Sequence, residues 1–315
     1  MGNLFQRKDI IYTIAKEQSF SKAAQKLFIA QPSLSLMVKN LEEDLGVPLF
    51  DRSSKPIQLT EAGEAYIRAT EQIQSIERTF QEYIMALHNV DAGSLRIGSN
   101  QLLSTLVLPK FISQFMQIYP NIRLSIMDGN STSLENAINN GVLDIVIDNS
   151  FMPSDIFEQI YLASEYLLLA VPSNFIENAN SYALTYQDIL EDRHRHITAP
   201  VALSTFSQTP FILMNRDNDI RKQTNAIFMQ TNFTPRVLFE MDRLTTLYTY
   251  VEQGIAATLV SDTLVKNIRG VSQENILFYP LPAPNNKRKI YLSYKRNKYC
   301  TNAMRALIQA LEGMG

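Results

Sequence analysis

The sequence predicts an α/β protein overall, with an all-α winged helix-turn-helix at its N-terminus, a long linker helix and a C-terminal α/β domain. Three observations predict it. Two helical patterns in the first sixty residues are joined by three residues, and the second has one apolar stripe and a polar outer face. From residue 61 to 89 apolar residues recur at steps of three and four with no Pro between them. From residue 94 onward, short apolar runs alternate with helical patterns as strand, helix, strand, helix, strand, the order of a parallel sheet.

The first helix is expected over Leu4–Ala15, where Leu4, Phe5, Ile10, Ile11, Ile14 and Ala15 lie close to helical spacing. Ser21 is the expected N-cap of a short second helix, Lys22–Phe28, whose Ala23 and Ala24 would admit a close neighbour. Ile29-Ala30-Gln31 forms the turn, Pro32 suits the first position of the third helix, and Gly46 ends it. Leu34, Val38, Leu41 and Leu45 make one inward stripe on that helix. Leu36 then points away from the stripe, flanked by Ser33, Ser35, Lys39 and Asn40, with Met37 at the edge. Helix, short turn and helix with a polar outer face is the geometry in which the second helix enters a major groove. Val47–Phe50 and Pro56–Leu59 read as a two-stranded wing around Asp51-Arg52-Ser53-Ser54-Lys55, with Arg52 and Lys55 placed to meet phosphates. These serines and charges also suit an ordinary solvated surface.

The linker carries Tyr66, Ala69, Ile73, Ile76, Phe80, Tyr83 and Leu87 in heptad steps, while its other faces are polar. Such a seam needs a partner: a second copy in a dimerising coiled coil, or the chain's own domain. The segment from His88 to Gly93 marks the boundary.

In the C-terminal part, strands are expected at 94–98, 122–126 and 143–147, with helices at 102–119 and 131–140 between them. A strand-pair region follows at 161–171. Strands at 211–214, 236–240 and 256–260 then alternate with helices at 219–230 and 245–253, and the tail adds a strand at 289–294 and a helix at 303–312. Ligands of open α/β sheets bind beyond the carboxyl ends of strands. The polar residues there are Ser99, Asn100 and Gln101, then Asp128-Gly129-Asn130-Ser131-Thr132, then Asp148 and Asn149. Two of these ends precede helices, so a small-molecule effector, with an anion as one candidate, is expected there. The same residue types also serve as plain helix caps.

Composition bounds the rest. The 315 residues suggest two or three domains, and 45% hydrophobic with 19% charged residues excludes a disordered chain. The 29 Lys and Arg against 31 Asp and Glu give a net charge of -2, no whole-chain signal for nucleic acid. That balance hides a split: residues 1–60 hold eight basic and six acidic residues, residues 61–90 two basic and five acidic. The lone Cys300 allows no intrachain disulfide. No stretch reads as a signal peptide or a membrane span, so a cytoplasmic protein with no membrane partner is expected. His194 and His196 at i, i+2 are weak metal evidence, so no metal, cofactor or catalytic residue is assigned. Neither a nucleophile elbow nor a phosphate loop is present.

The runs Ser19-Phe20-Ser21-Lys22-Ala23-Ala24, Gln31-Pro32-Ser33-Leu34-Ser35, Leu41 through Arg52, and Leu59-Thr60-Glu61-Ala62-Gly63 resemble, in order, the winged helix-turn-helix of LysR-type transcriptional regulators. Weaker markers follow in family order: Leu95-Arg96-Ile97-Gly98, Tyr119-Pro120, Gly141-Val142-Leu143-Asp144 and Val251-Glu252-Gln253-Gly254. The resemblance implies a non-enzymatic regulator, a homodimer or homotetramer on an interrupted inverted repeat of double-stranded DNA, with RNA polymerase a candidate partner. It implies DNA contacts from Ser21, Gln31, Pro32, Ser33, Ser35, Leu36, Met37, Lys39, Asn40, Arg52 and Lys55. The family pattern has a polar or basic pair where this chain has Leu36 and Met37, and an apolar residue reads a thymine methyl but no base-edge hydrogen bond.

The resemblance also implies a two-lobed effector domain like type II periplasmic solute-binding proteins, with Thr209 and Pro210 facing its cleft. The expected divisions are 1–60, 61–92 and 93–315. Lobe I takes 94–163 and 266–315, lobe II takes 164–265, and the crossings fall near 161–165 and 262–266. The alternative is a solute-binding or catalytic α/β protein whose N-terminal domain is an interaction module.

Overall fold

The structure is a computed structural model that describes residues 4–87, 93–176, 183–197 and 200–312. The chain divides into two compact units, one of N-terminal helices and one rich in sheet.

The first unit opens with α1 (Lys8–Glu17), α2 (Phe20–Lys26) and α3 (Gln31–Leu45). The N-cap of α2 is Ser19 rather than Ser21: the Ser19 hydroxyl accepts from the Lys22 amide, and Ser21 lies inside the helix. Capping needs extended backbone before the first turn, and Ser19 has it. Pro32 sits in the first turn of α3, with Gln31 already helical, and Gly46 closes the helix with φ 73°. Leu34, Val38 and Leu41 are buried together with Ile11, Ile14, Ala23 and Ala24. The wing is a two-residue antiparallel pair, β1 (Phe50–Asp51) with β2 (Gln58–Leu59).

Helix α4 (Glu61–Leu87) begins inside this unit. The Thr60 hydroxyl caps it by accepting from the Gly63 amide and donates to the Pro48 carbonyl. Tyr66 corrects the seam. It is buried in the head core, stacked on Phe5 at 4.9 Å, with its hydroxyl donating to the Leu4 carbonyl. Helix α1 packs on the N-terminal half of α4, fixed by Lys8 to Glu77 at 3.1 Å and Gln74 to Asp9 at 2.9 Å. The head therefore covers the N-terminal end of the stripe. Ala69 and Ile73 are half-buried, and Ile76, Phe80 and Tyr83 are 70%, 63% and 39% exposed. The side chain of Leu87 lies outside the described residues, as do residues 88–92.

The second unit starts with β3 (Gly93–Ser99), α5 (Gln101–Leu106), α6 (Leu108–Ile118), β4 (Ile122–Asp128), α7 (Ser131–Asn139) and β5 (Ile145–Asp148). Strand β3 lies between β4 and β5 and is parallel to both. The single helix expected at 102–119 is two, broken at Val107. Pro109 lacks an N–H and would clash with the Thr105 carbonyl, so the first helix cannot run through it.

The expected strand pair at 161–171 is one 16-residue strand, β6 (Phe157–Pro172). Lobe II then supplies α8 (Tyr186–Leu190), β7 (Pro210–Met214), α9 (Asp219–Gln230), β8 (Arg236–Met241), α10 (Leu244–Glu252), β9 (Thr258–Ser261), α11 (Asp262–Asn267) and β10 (Ile276–Pro280). The chain returns through β11 (Lys287–Lys295) and ends in α12 (Asn302–Glu312). Residues 157–166 of β6 pair with β11, whereas residues 167–172 pair with β9 and β10. One strand thus serves both lobes. The return crossing lies between β10 and β11, not at 262–266, because Leu264, Val265, Ile276 and Phe278 all belong to the lobe II core. Lobe I has its own core from β3, β5, α6 and α12. No helix among the described residues is long and apolar enough to cross a membrane.

Candidate functional site

Two surfaces carry candidate chemistry, one in each unit. On the first, the outer face of α3 is free. Leu36 is 58% exposed, and Ser33, Lys39 and Asn40 are exposed beside it. Lys39 makes only a loose pair with Glu43, one turn on at 3.6 Å. Ser35 and Met37 are half-buried, Ser35 accepting from Gln31 and the Met37 carbonyl accepting from Arg7. Ser19, Phe20, Ser21, Gln31, Ser35, Arg52 and Ile57 line a shallow recess of about 350 Å³ that joins both helix starts to the wing.

Arg52 is held rather than loose. It donates to Glu42 at 2.9 Å and lies over the Phe20 ring at 5.3 Å. The same Glu42 carboxylate accepts from the Leu49 and Phe50 amides at 2.8 and 3.2 Å. One acid on α3 thereby fixes the approach to β1, and through Arg52 the wing. Lys55 is exposed on the wing tip.

On the second unit, a cavity of about 270 Å³ lies between the lobes at the carboxyl ends of β3, β4 and β8. Asn100, Gln101 and Asn149 line it. Asn100 does three jobs: its carbonyl oxygen caps α5 at the Leu103 amide, and its amide donates to Asp148 and Asn149. A second cavity of about 540 Å³ adjoins through Asn149, Asp219 and Arg288, and Ser131 lines that one. The Ser131 hydroxyl stands between the carboxylates of Asp148 in lobe I and Asp219 in lobe II, at 2.6 and 2.5 Å. Burial alone pushes the Asp219 carboxyl up. The Ser131 hydroxyl, Lys222 and the charge of Arg288 outweigh it and hold that group below the usual carboxylate range.

Two family models cover this architecture. Residues 5–64 match the bacterial regulatory helix-turn-helix protein of the lysR family, and residues 88–315 match the LysR substrate binding domain. The chain belongs to the LysR family. It is therefore a transcriptional regulator with an effector-binding domain, not an enzyme. The HTH-type transcriptional regulator YybE of Bacillus subtilis is 28% identical over 94% of this chain and 93% of its own length. A probable RuBisCO transcriptional regulator of Trichormus variabilis is 27% identical over 96% and 86%. The fold is similar to a full-length OxyR variant of Pseudomonas aeruginosa, with TM-score 0.70 and 20% identity over 99% of this chain and 98% of that one. CbnR in complex with its target DNA gives TM-score 0.65 and 17% identity, covering 99% of each.

Within this LysR chain, several expected effector contacts are placed elsewhere. Ser99 is fully buried, with its hydroxyl donating to the Ile147 carbonyl, so it braces β3 against β5 and lines neither cavity. Asp148 is buried behind the cleft as an acceptor for Asn100, Ser131 and Ser150. Thr132 is exposed and lines neither cavity. Thr209 is buried, and Pro210 begins β7 with its carbonyl accepting from Ala257. Both lie outside the cavity linings.

Sequence reasoning missed three charged residues that line the cleft, Asp219, Asp242 and Arg288, and placed Asp128 at a polar strand end without assigning it a contact. Asp219 begins a helix and Asp242 follows a strand, so acidic element ends were the available signal. Arg288 comes from the return strand, whose position beside the cleft nothing local announces. Three carboxylates against one guanidinium give the first cavity a charge opposite to what a simple anion requires.

His194 lies at a buried cluster. Ligating atoms of Asp192, His194 and Asp262 come within 4.8 Å of one another. Fixed cations already hold the position: Lys266 is 2.5 Å from Asp192 and 3.9 Å from Asp262, and Arg195 reaches both acids. The cluster is an ion-pair network that secures α11 to the 193–196 turn.

Proposed function

We propose that this regulator binds an interrupted inverted repeat of double-stranded DNA as a homodimer or dimer of dimers, and that a small molecule between the lobes modulates that binding. The observation that carries the reading is the pairing of two free surfaces on one unit. The outer face of α3 leaves Ser33, Leu36, Lys39 and Asn40 exposed, and α4 leaves Ile76, Phe80 and Tyr83 exposed. A helix that exposes three large apolar residues at heptad steps buries them best against a second copy. Two heads tied by such a helix read two half-sites, so the operator is a dyad. A solved protein of the same fold, CbnR, was captured on its target DNA.

The roles divide by chemistry. Lys39 and Lys55 contact phosphates, and Arg52, held by Glu42, presents the wing. Ser33, Ser35 and Asn40 face base edges, and Leu36 meets a thymine methyl. Ser21, Gln31, Pro32 and Met37 flank that contact. In the effector domain, Asn100, Gln101 and Asn149 face the ligand, with Ser131 linking the lobes. Allosteric couplings of about 1–3 kcal/mol suffice to shift such an equilibrium.

Selection of bound sequences from a random duplex pool by the full-length protein tests this. The enriched set should contain a dyad with half-sites spaced by whole helical turns. Enrichment of a single unrepeated site, or none, would sink the dimeric reading.

A further inference from the structure

Resting on the effector reading of the inter-lobe cleft, we propose that its ligand is a small zwitterion carrying both an ammonium group and a carboxylate, of amino-acid size. The carboxylate end is set by Arg288. This residue is 9% exposed and lines both cavities, so the little of it that is open faces the cleft. Its ion partner is Glu165, facing it across β6 and β11 at 3.3 Å. That Glu165 oxygen has no hydrogen-bond partner, and the other carboxylate oxygen already accepts from Ser261. Beyond that ion pair, the Arg288 side chain makes no hydrogen bond among the described residues. A guanidinium presents five N–H donors in a planar fork, more than the one Glu165 carboxylate uses. A carboxylate satisfies two of those donors at once.

The ammonium end is set by the acids. Asp128 ends β4 in lobe I, and Asp242 follows β8 in lobe II. Both line the first cavity. Asp128 pairs with no cation among the described residues, and Asp242 accepts only from Asn215. Asp219, also in the lining, is shared with Ser131 and Lys222. Asp128 and Asp242 are both exposed, one from each lobe, on one cavity. An ammonium, with three donors and a compact charge, suits a lining that carries two such carboxylates, whereas a dianion would add to their negative charge. The cavity of about 270 Å³ falls just below the roughly 300–1,000 Å³ of pockets for drug-sized ligands, which sets the size.

The test is thermal shift followed by titration calorimetry on the full-length protein, with L-amino acids, aliphatic diamines and aliphatic dicarboxylates as the panel. At least one amino acid should raise Tm, and the dicarboxylates should not. For the best amino acid, the matching decarboxylated amine and deaminated acid should each bind about ten- to a hundredfold more weakly. Asp128→Asn and Asp242→Asn should each weaken it by about tenfold. Because Arg288 faces a buried acid, the ligand-side comparison replaces any variant that leaves Glu165 without a cation. A dicarboxylate or diamine that binds while every amino acid fails, an amino acid indifferent to both Asp variants, or a panel with no binder each overturns the zwitterion. The effector reading itself falls only if DNA binding responds to no ligand that raises Tm.

Discussion

Replacing Glu42 with alanine should detach the wing from α3 and cost the N-terminal unit about 3 kcal/mol. The figure follows from what the carboxylate holds. It accepts from two half-buried backbone amides, Leu49 at 2.8 Å and Phe50 at 3.2 Å. Each such bond to a charged acceptor contributes about 1.5 kcal/mol, and removing the acceptor leaves the amide unsatisfied. The ion pair to Arg52 adds little, because the Arg52 side chain is half exposed and water screens it to at most about 0.5 kcal/mol. Glu42→Gln keeps an oxygen facing both amides and loses only the charge, so its cost should be about 1 kcal/mol. Hydrogen exchange on the full-length protein reads the difference locally. Amides of α3 and the wing should exchange roughly a hundredfold faster in the alanine variant and less than tenfold faster in the glutamine variant, with the second unit unchanged. Equal protection in both variants and wild type would refute the assignment of Glu42 as the acceptor that organises the wing.

Gly63→Ala should destabilise the same unit by about 1–3 kcal/mol, since an added Cβ would meet the Leu49 carbonyl oxygen at 2.0 Å; urea unfolding checks it. Tyr66→Ala should cost about 3–5 kcal/mol of head stability and leave the dimer dissociation constant unchanged. Phe80→Lys should do the reverse, giving monomers in sedimentation with an unaltered head. Asp262 carries a pH dependence. Burial pushes its carboxyl up, but the hydrogen bonds from His194 and the Tyr166 amide and the charge of Lys266 outweigh this and hold it below the ordinary 3.8. A carboxyl lowered by folding contributes stability that is complete above its unfolded value and lost as pH falls through its folded value. The Tm of wild type should therefore fall more steeply than that of Asp262→Asn as pH drops below about 4.

Much of this molecule is written locally. The α3 stripe, the Gly46 stop, the heptad steps of α4 and the strand–helix alternation of lobe I each follow from spacing within a dozen residues, and each element formed. The departures share a cause: contacts distant in sequence. Tyr66 obeys the heptad rule, but the Phe5 ring, sixty residues earlier, claims it. Ser99 and Thr209 stand at strand ends as ligand-facing residues do, yet both are buried, Ser99 with its hydroxyl on the Ile147 carbonyl across the sheet. The length of β6 became visible only once β9, β10 and β11 had paired with it, because its half-polar first part alternates while its apolar second part does not. Pro109 is the exception, a local breaker that was present in the sequence and should have split the helix. The cleft was half legible. Asn100, Gln101 and Asn149 announce themselves at strand ends, whereas Arg288 reaches the site from the return strand, 188 positions after Asn100.

The measurement that bears most directly on the whole account is DNA binding by a variant carrying Ser33→Ala, Ser35→Ala and Lys39→Ala, read by fluorescence anisotropy on the selected dyad alongside its melting temperature. The outer face of α3 supports no core contact through Ser33 or Lys39, so Tm should stay within about 2 °C of wild type, while affinity for the dyad falls at least tenfold and the salt dependence flattens by about one counterion per head. Unchanged affinity with unchanged Tm would contradict the claim that this face of the head reads DNA.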